Sequence, residues 1–322
     1  MKNIKTEYIV LFIVIVMLSA YLVFHNQDSG RDTLPVLADI SQSDITKLDI
    51  SRSGTTISLI KKDGKWVTKD TGFPVDPIQI NAMVDNIKAL KITALVSESK
   101  DYGRYDLNEE RKIKVTAFSQ DKSVRSFDLG KTASSYRHTF IRIDNDPRVF
   151  HAEQNFREAF EKSENDLLDR KILSLDSESV SRIEGTVEGV VYGFEKKKAV
   201  ESNGTESKQA ETEKNGSTEP KSNHSWLSSH GKPADVTQIS GLLNLFSNLS
   251  CTEFIKGGKK EDFSAPVVQL NLTGSKPSSL SIYAAKEGVE GYPAVSSESP
   301  FPFILSTNTV EEIRTRLKQA TP

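Results

Sequence analysis

The chain has 322 residues, of which 36% are hydrophobic and 27% are charged, and this length allows about two domains of ordinary size. The 42 Lys and Arg residues nearly balance the 44 Asp and Glu residues, so the net charge is −2. This balance disfavours a polyanionic partner, and no nucleic acid is expected. The single cysteine, Cys251, excludes an intramolecular disulfide. We interpret Cys251 as a half-buried small hydrophobe rather than as a reactive thiol.

An uncharged apolar run covers residues 8–24 near the N-terminus. At about 1.5 Å per residue, a helix of this length reaches roughly 25 Å, near the lower limit for crossing a bilayer core. Lys2 and Lys5 precede the run, which places the N-terminus in the cytoplasm and the rest of the chain outside. We therefore predict a transmembrane signal anchor over residues 1–25. A cleaved signal peptide is the alternative, but Ser19-Ala20 is a poor cleavage site.

Residues 26–43 are polar and predict a tether. Alternating apolar and polar residues at 45–50 and 56–60 then predict two strands of a small antiparallel sheet. Asp63-Gly64 predicts a tight turn into a third strand, which carries Trp66.

A helix start follows at Asp76, which we predict as the N-cap. Pro77 takes the first helical position, and Gln79 stands where a capping box requires it. Apolar residues at positions 80, 83, 84, 87 and 90 form one helical stripe that is expected to pack on the sheet.

The remaining pattern of the first half predicts a β-meander and a closing helix from Phe156 towards Leu167. The second half repeats this order of elements. We therefore predict an α+β fold with two tandem copies of a hairpin–helix–β-meander–helix unit, over residues 44–173 and 174–322. Residues 196–223, rich in Lys, Glu, Ser and Asn, predict a disordered insert at a hairpin tip of the second copy.

The repeat is most evident at the central helices. Asp76 and Gln79 recur as Asp235 and Gln238 at a constant offset of 159 positions, together with five apolar residues. Two carboxylates in one chain can serve acid and base catalysis, but helix capping explains both of them with their glutamines. All four residues are therefore predicted as structural caps.

A tryptophan precedes each copy of the helix, Trp66 in the first and Trp226 in the second. An exposed Trp in each unit would be an interaction site that stacks on a sugar ring or a peptide. A Trp at the edge of a strand before a packed helix is more often a core residue, and both readings stay open.

The chain carries no phosphate-binding glycine loop and no C-x-x-C pair, and its five histidines do not stand at metal-ligand spacing. His138 and His151 flank Asp144 and Asp146 across a presumed hairpin. A turn built by Asp-Asn-Asp-Pro needs no metal. No catalytic residue, metal site or cofactor is predicted.

Several short motifs in a fixed order resemble the bacterial domain-of-unknown-function family 4340. They are Ile45-Thr46-Lys47-Leu48, Asp63-Gly64-Lys65-Trp66, Pro74-Val75-Asp76, Leu129-Gly130-Lys131 and Asp169-Arg170-Lys171-Ile172-Leu173. The chain departs from the family's "Y-G-L" segment, where it has Tyr105-Asp106-Leu107. The resemblance implies an N-terminal membrane segment and no catalytic residues. It also implies an accessory role, because such proteins are often encoded beside ABC transporters of the gliding-motility or export type.

These observations lead to the expectation of a non-enzymatic scaffold protein in the bacterial inner membrane. A single N-terminal helix would anchor it, with the bulk of the chain in the periplasm and with protein partners in the envelope, among them ABC transporter subunits. An envelope hydrolase acting on cell-wall or glycan material is an alternative, which needs polar residues to converge in a cleft. A glycan-binding module is a further alternative, which needs exposed Trp66 and Trp226.

Overall fold

The computed structural model describes residues 6–27, 34–198 and 224–322. Helix α1 covers Thr6–Gln27, and its side chains are described over residues 11–21. Within the described ranges, no helix combines the length and the apolar character needed to cross a membrane. Residues 34–46 contain only one turn of 3-10 helix, at Gln42–Asp44.

The chain forms two compact units. Unit 1 comprises Met1–Lys69 and Pro77–Leu167, and unit 2 comprises Asp70–Asp76 and Leu168–Pro322. The short segment Asp70–Asp76, which the sequence places in the first repeat, therefore belongs to unit 2.

Unit 1 is built on an antiparallel sheet of eight strands. The strands are β1 (Lys47–Arg52), β2 (Thr55–Lys62), β3 (Lys65–Thr68), β4 (Ile92–Ser97), β5 (Ile113–Ser119), β6 (Lys122–Thr132), β7 (His138–Ile143) and β8 (Val149–Glu153). Their order in the sheet is β3-β2-β1-β5-β6-β7-β8-β4. The helices are α2 (Pro77–Lys88) and the short α3 (Arg157–Phe160).

The inner face of this sheet and helix α2 share one core. The stripe predicted from the sequence is the buried face of α2, with Ile80, Met83, Val84 and Ile87 each at most 1% exposed. Alternate residues of the strands, such as Leu48 and Ile141, are fully buried on the facing side. The alternate buried residues of the strands and the buried stripe of α2 therefore form one hydrophobic layer.

Unit 2 contains a second antiparallel sheet of eight strands. These are β10 (Arg182–Val187), β11 (Val190–Lys198), β12 (His224–Ser228), β14 (Glu253–Phe254), β15 (Val268–Thr273), β16 (Ser278–Ile282), β17 (Tyr292–Ser296) and β18 (Phe303–Leu305). Their order is β12-β11-β10-β15-β16-β17-β18-β14. Strands β9 (Lys171–Leu173) and β13 (Leu249–Ser250) form a separate pair. The helices are α4 (Val236–Ser247) and α5 (Thr307–Gln319).

The core of unit 2 lies between its sheet and the two helices. Helix α4 buries Leu242 and Phe246, and α5 buries Ile313 and Leu317, each at most 1% exposed. Gly241 of α4 leaves the space that the Arg316 guanidinium of α5 occupies, since a Cβ there would lie 2.0 Å from Nη1. A small residue thus allows a long cation to cover the contact between the helices.

We call Asp70–Asp76 the strap, because it is a separate stretch of chain that packs into unit 2. Phe73 is 2% exposed, and its ring centroid lies 5.0 Å from those of both Phe254 and Phe301. The amide of Asp169 donates to the carbonyl of Pro74 at 2.9 Å. Val75 forms a β-bridge with Leu168. The strap is thus held by an aromatic cluster and by backbone hydrogen bonds.

The mixed helix and strand content with mainly antiparallel pairing is confirmed. The predicted closing helix of the first unit is wrong as a single element, because α3 ends at Phe160 and a turn of 3-10 helix follows at Glu164–Leu167. Ser163 interrupts the helix, since its amide and hydroxyl both donate to the Asp166 carboxylate. Strand β11 continues to Lys198, and residues 199–223 of the predicted insert lie outside the described residues.

Replacing Phe73 by Ala is expected to lower the free energy of unfolding of unit 2 by roughly 3–5 kcal/mol, because a buried aromatic side chain is lost from the core. Denaturant unfolding followed by fluorescence of buried Trp226, in a Trp66→Phe background, measures this change. Tyr136→Ala is the control, since Tyr136 is 80% exposed. Equal unfolding midpoints for the Phe73 and Tyr136 variants would contradict the packing of the strap.

Candidate functional site

The two tryptophans lie in different environments. Trp226 lies on β12 and is 5% exposed within the core of unit 2. It therefore offers no open surface for stacking on a sugar ring or a peptide, which corrects its reading as an interaction residue. Trp66 lies on β3 and is half-buried.

Asp235 is the N-cap of α4. Its Oδ1 accepts hydrogen bonds from the amides of Thr237 at 2.8 Å and Gln238 at 3.3 Å. The amide of Asp235 donates to the carbonyl of Ala320 at the end of α5. Gln238 accepts a hydrogen bond from Nη1 of Arg316 at 3.4 Å.

Asp76, the last residue of the strap, directly precedes α2 of unit 1, which begins at Pro77. The side-chain oxygen of Gln79 accepts a hydrogen bond from Nζ of Lys162. In each unit the glutamine thus ties the central helix to a basic residue near the C-terminal end of that unit. None of the four predicted cap residues takes part in a catalytic grouping.

The most elaborate arrangement of polar side chains lies on the other face of the unit 1 sheet, where no site was predicted. We call residues 98–112 the flap, because this segment covers part of that face. The flap contains the 3-10 helix Tyr102–Tyr105 and the buried Leu107, which is 1% exposed. The carbonyl oxygen of Tyr105 lies so close to Gly130 of β6 that a Cβ there would be 2.2 Å away.

A buried carboxylate connects the flap to the sheet. Asp128 on β6 is 5% exposed and accepts hydrogen bonds from the Arg142 guanidinium on β7, with Nε at 3.1 Å. Nζ of Lys112, the last residue of the flap, lies 3.3 Å from the same carboxylate. The charge of Asp128 is therefore matched by two cations, as burial of an ionised group requires.

The flap and the β7–β8 turn border an open cleft of about 300 Å³. Its walls include Lys100, Tyr102, Asp128, Arg142, Asn145 and Asp146. The Arg142 guanidinium lies over the Tyr102 ring at 4.7 Å, and the Tyr102 hydroxyl donates to the carbonyl of Pro147 at 3.0 Å. Hydrogen bonds from Arg148 hold the pKa of Asp146 below its ordinary value.

Four rings of the flap and the sheet form a continuous series of contacts, which we call the ring stack. Tyr105 of the flap contacts Phe140 at 4.9 Å between ring centroids, and Phe140 contacts His151 at 4.8 Å. His151 then stacks on His138 at 5.2 Å with an interplanar angle of 25°. Nε2 of His151 is buried without a hydrogen-bond partner. Burial, and then the neighbouring His138, lower the pKa of His151.

His138 and His151 are thus brought together, but the acids between them in sequence are engaged elsewhere. Asp146 pairs with Arg148 at 2.8 Å, and Asp144 lies 4.0 Å from Nζ of Lys114. Across the part of the chain that the structure describes, no three His, Cys, Asp or Glu side chains are grouped as metal ligands would be. The pair is an imidazole stack in an aromatic setting.

Cys251 is 5% exposed, and burial raises the pKa of its thiol to about 12. Only the thiolate is nucleophilic, so this thiol is unreactive in the folded state. We expect no labelling by a maleimide or an aromatic disulfide reagent at pH 8, and complete labelling after unfolding in guanidinium chloride. Rapid reaction of the native chain would contradict the burial of Cys251.

Substitution of Gly130 by Ala is expected to displace the flap, because the new Cβ would meet the backbone oxygen of Tyr105 and the side chain of Leu107. Overpacking of this kind lowers the free energy of unfolding by roughly 1–3 kcal/mol. Thermal or denaturant unfolding of the purified chain measures the loss. Gly103→Ala is the matched control within the flap, where a Cβ meets no atom within 4 Å. The contact is refuted if both alanine variants unfold alike.

The fold and this face define an α+β module in which a flap is fastened to an antiparallel sheet by buried charge and by aromatic stacking. A family model described as Domain of unknown function (DUF4340) matches residues 66–266. Because this match covers more than half of the chain, the protein belongs to this family, and the resemblance seen in the sequence is confirmed. No curated protein and no solved structure matches the chain.

One motif behind the resemblance meets, at the flap, the segment where the chain departs from the family pattern. Gly130, from Leu129-Gly130-Lys131, lies against Tyr105 and Leu107, from Tyr105-Asp106-Leu107. Asp106 between them has φ 55° and ψ 34°, in the left-handed region that favours glycine. The glycine of the family's "Y-G-L" pattern therefore has a conformational explanation. These motifs were the available sequence signal for the flap.

Proposed function

We propose that this protein is a non-enzymatic accessory protein of the bacterial envelope, which is anchored in the inner membrane and supports a membrane complex through protein contacts. The proposed partner is a subunit of an ABC-type transporter of the gliding or export type. The partner class comes from the resemblance to the family, and the place of contact comes from the flap and its cleft.

The anchoring part of the proposal is supported by the sequence. Residues 8–24 are uncharged and apolar, and Lys2 and Lys5 precede them. With this orientation both units lie in the periplasm, and residues 28–46 connect α1 to β1. The connection has the composition of a tether.

The second part of the proposal is that the units are tandem copies of one module. The two sheets support it, because the strands follow the same order when each unit is read in chain direction. The central helices α2 and α4 bury matching residues, such as Ile80 with Ile239 and Ile87 with Phe246. Duplication would leave one copy free to acquire a binding surface of its own.

The cleft beside the flap is the observation that carries the binding function. Tyr and Arg contribute most often to the energy of protein interfaces, and here Arg142 lies over the Tyr102 ring at its wall. The pair is held by Asp128 and by the carbonyl of Pro147, so little side-chain entropy remains to be lost on binding. The exposed Lys100 and Asn145 at the rim add polar groups for specificity.

Site-specific photo-crosslinking in the native membrane tests this proposal. A photoreactive amino acid at exposed Asn145, on the wall of the cleft, is expected to capture an envelope protein on irradiation. The same amino acid at Glu287, an exposed loop residue of unit 2, is the control and is expected to give no adduct. Mass spectrometry of the adduct identifies the partner.

Two results would overturn the proposal. The first is an absence of adduct at Asn145 under conditions in which the chain is correctly folded. The second is repeated recovery of the chain, after gentle membrane extraction, without a transporter subunit or another envelope protein. Recovery of the chain in the fraction without membranes would refute the anchor separately.

A further inference from the structure

The flap is attached to the sheet by several kinds of contact, and the imidazole-containing one is the most sensitive to pH. Asp128 with Lys112 and Arg142 is a carboxylate between two cations, and Tyr102 is held by the Arg142 guanidinium and the Pro147 carbonyl. The Tyr105 carbonyl against Gly130 is a packing contact. The ring stack is different, because two of its four members are imidazoles, whose ordinary pKa is about 6.5.

The surroundings of the imidazoles offer one acid. Glu153 on β8 is the cross-strand partner of His138, and it is already paired with Lys91 at 3.3 Å. The two imidazoles also have uncharged neighbours. The Phe140 ring contacts His151 at an interplanar angle of 45°, Thr93 of β4 donates to the carbonyl of His151, and Ser135 lies 3.5 Å from Nδ1 of His138. A proton on His151 would therefore place a charge between an aromatic ring and a second imidazole.

We propose that protonation of His151 releases the flap from the sheet. A charged His151 ring would lie against the Phe140 ring and against a second imidazole whose centroid is 5.2 Å away, with its Nε2 buried and without a hydrogen-bond partner. Lifting Tyr105 from Phe140 admits water to the stack, which solvates the charge. Acidification thus favours an open flap, which uncovers Phe140 and widens the cleft beside Tyr102.

The direction of the pH effect follows from the thermodynamic linkage between proton binding and flap opening. The pKa of His151 is lowered when the flap is closed, so the open form binds more protons between that lowered pKa and the ordinary value near 6.5. The closed form has its full stability above about pH 6.5 and loses it as the pH falls through this window. A periplasmic module would experience such changes directly, whereas the inference itself depends only on unit 1 and does not rest on the proposed partner.

Hydrogen–deuterium exchange of the purified full-length chain at pH 7.5 and pH 5 tests the proposal, with protection factors corrected for intrinsic exchange rates. The informative amides are those of Leu107 and Lys112, whose hydrogen bonds to the carbonyls of Tyr102 and Asn108 lie within the flap and exchange once the sheet no longer holds it. Their protection is expected to fall on acidification, because the open form takes up the proton that burial disfavours on His151. The amides of Asp262 and Phe263, which donate to backbone carbonyls in a loop of unit 2, are expected to keep their protection.

The double variant H138F/H151F keeps two stacked aromatic rings but cannot be protonated, so its flap is expected to stay protected at pH 5. The matched control is H230F, because His230 is an exposed histidine of unit 2, and this variant is expected to behave as the wild type. Equal loss of protection at pH 5 in wild type and in H138F/H151F would overturn the proposal. An unchanged wild-type flap at pH 5, or equal loss at Phe263, would overturn it as well.

Discussion

Burial of the Asp128 carboxylate determines how the outer face of the first sheet is organised. An ionised group in this position is tolerated only with partners, and Lys112 and Arg142 provide them from the flap and from β7. Because the buried Asp128 carboxylate needs Lys112 as a partner, the end of the flap is held over the sheet. The requirement for Arg142 places its guanidinium beneath Tyr102, which forms the wall of the cleft. The attachment of the flap and the position of the cleft wall therefore both depend on the charge of Asp128.

Motifs behind the family resemblance take part in two long-range contacts. One joins Gly130 to the segment around Asp106, where the left-handed conformation costs an ordinary residue about 1 kcal/mol and suits glycine. Asp tolerates this conformation better than most residues, and Asp106 pairs with Arg111 at 3.0 Å. The other joins Pro74 to Asp169 through a backbone hydrogen bond within unit 2. In this chain the motif residues thus help to fasten the flap and the strap.

Spacing along the sequence predicts those elements that depend only on residues near in the chain. The stripe of α2 and the Asp235 cap of α4 follow from spacing along the chain, and the structure has both. The hydrogen bond from the Asp235 amide to the carbonyl of Ala320 does not follow from local spacing, because Ala320 is distant in sequence. Local sequence patterns do not predict the strap, the ring stack or the burial of Asp128, because each depends on which strands become neighbours. His138 and His151 are diagonal neighbours because β7 pairs with β8 in a register that sets Phe140 opposite His151.

The loops that precede β5 in unit 1 and β15 in unit 2, the fourth strand in each sheet order, differ in chemistry. In unit 2 the ring of Phe263 packs on Tyr283 at 5.2 Å, and Nζ of Lys260 donates to the carbonyl of Ser296 at 2.6 Å. This loop uses an aromatic pair and a lysine, as the flap does, but residues 255–322 contain no histidine. If the units are copies, the aromatic contact belongs to the common design and the imidazoles are particular to unit 1. The proton-sensitive stack then distinguishes the copy that carries the cleft, which is where a function specific to this protein is to be sought.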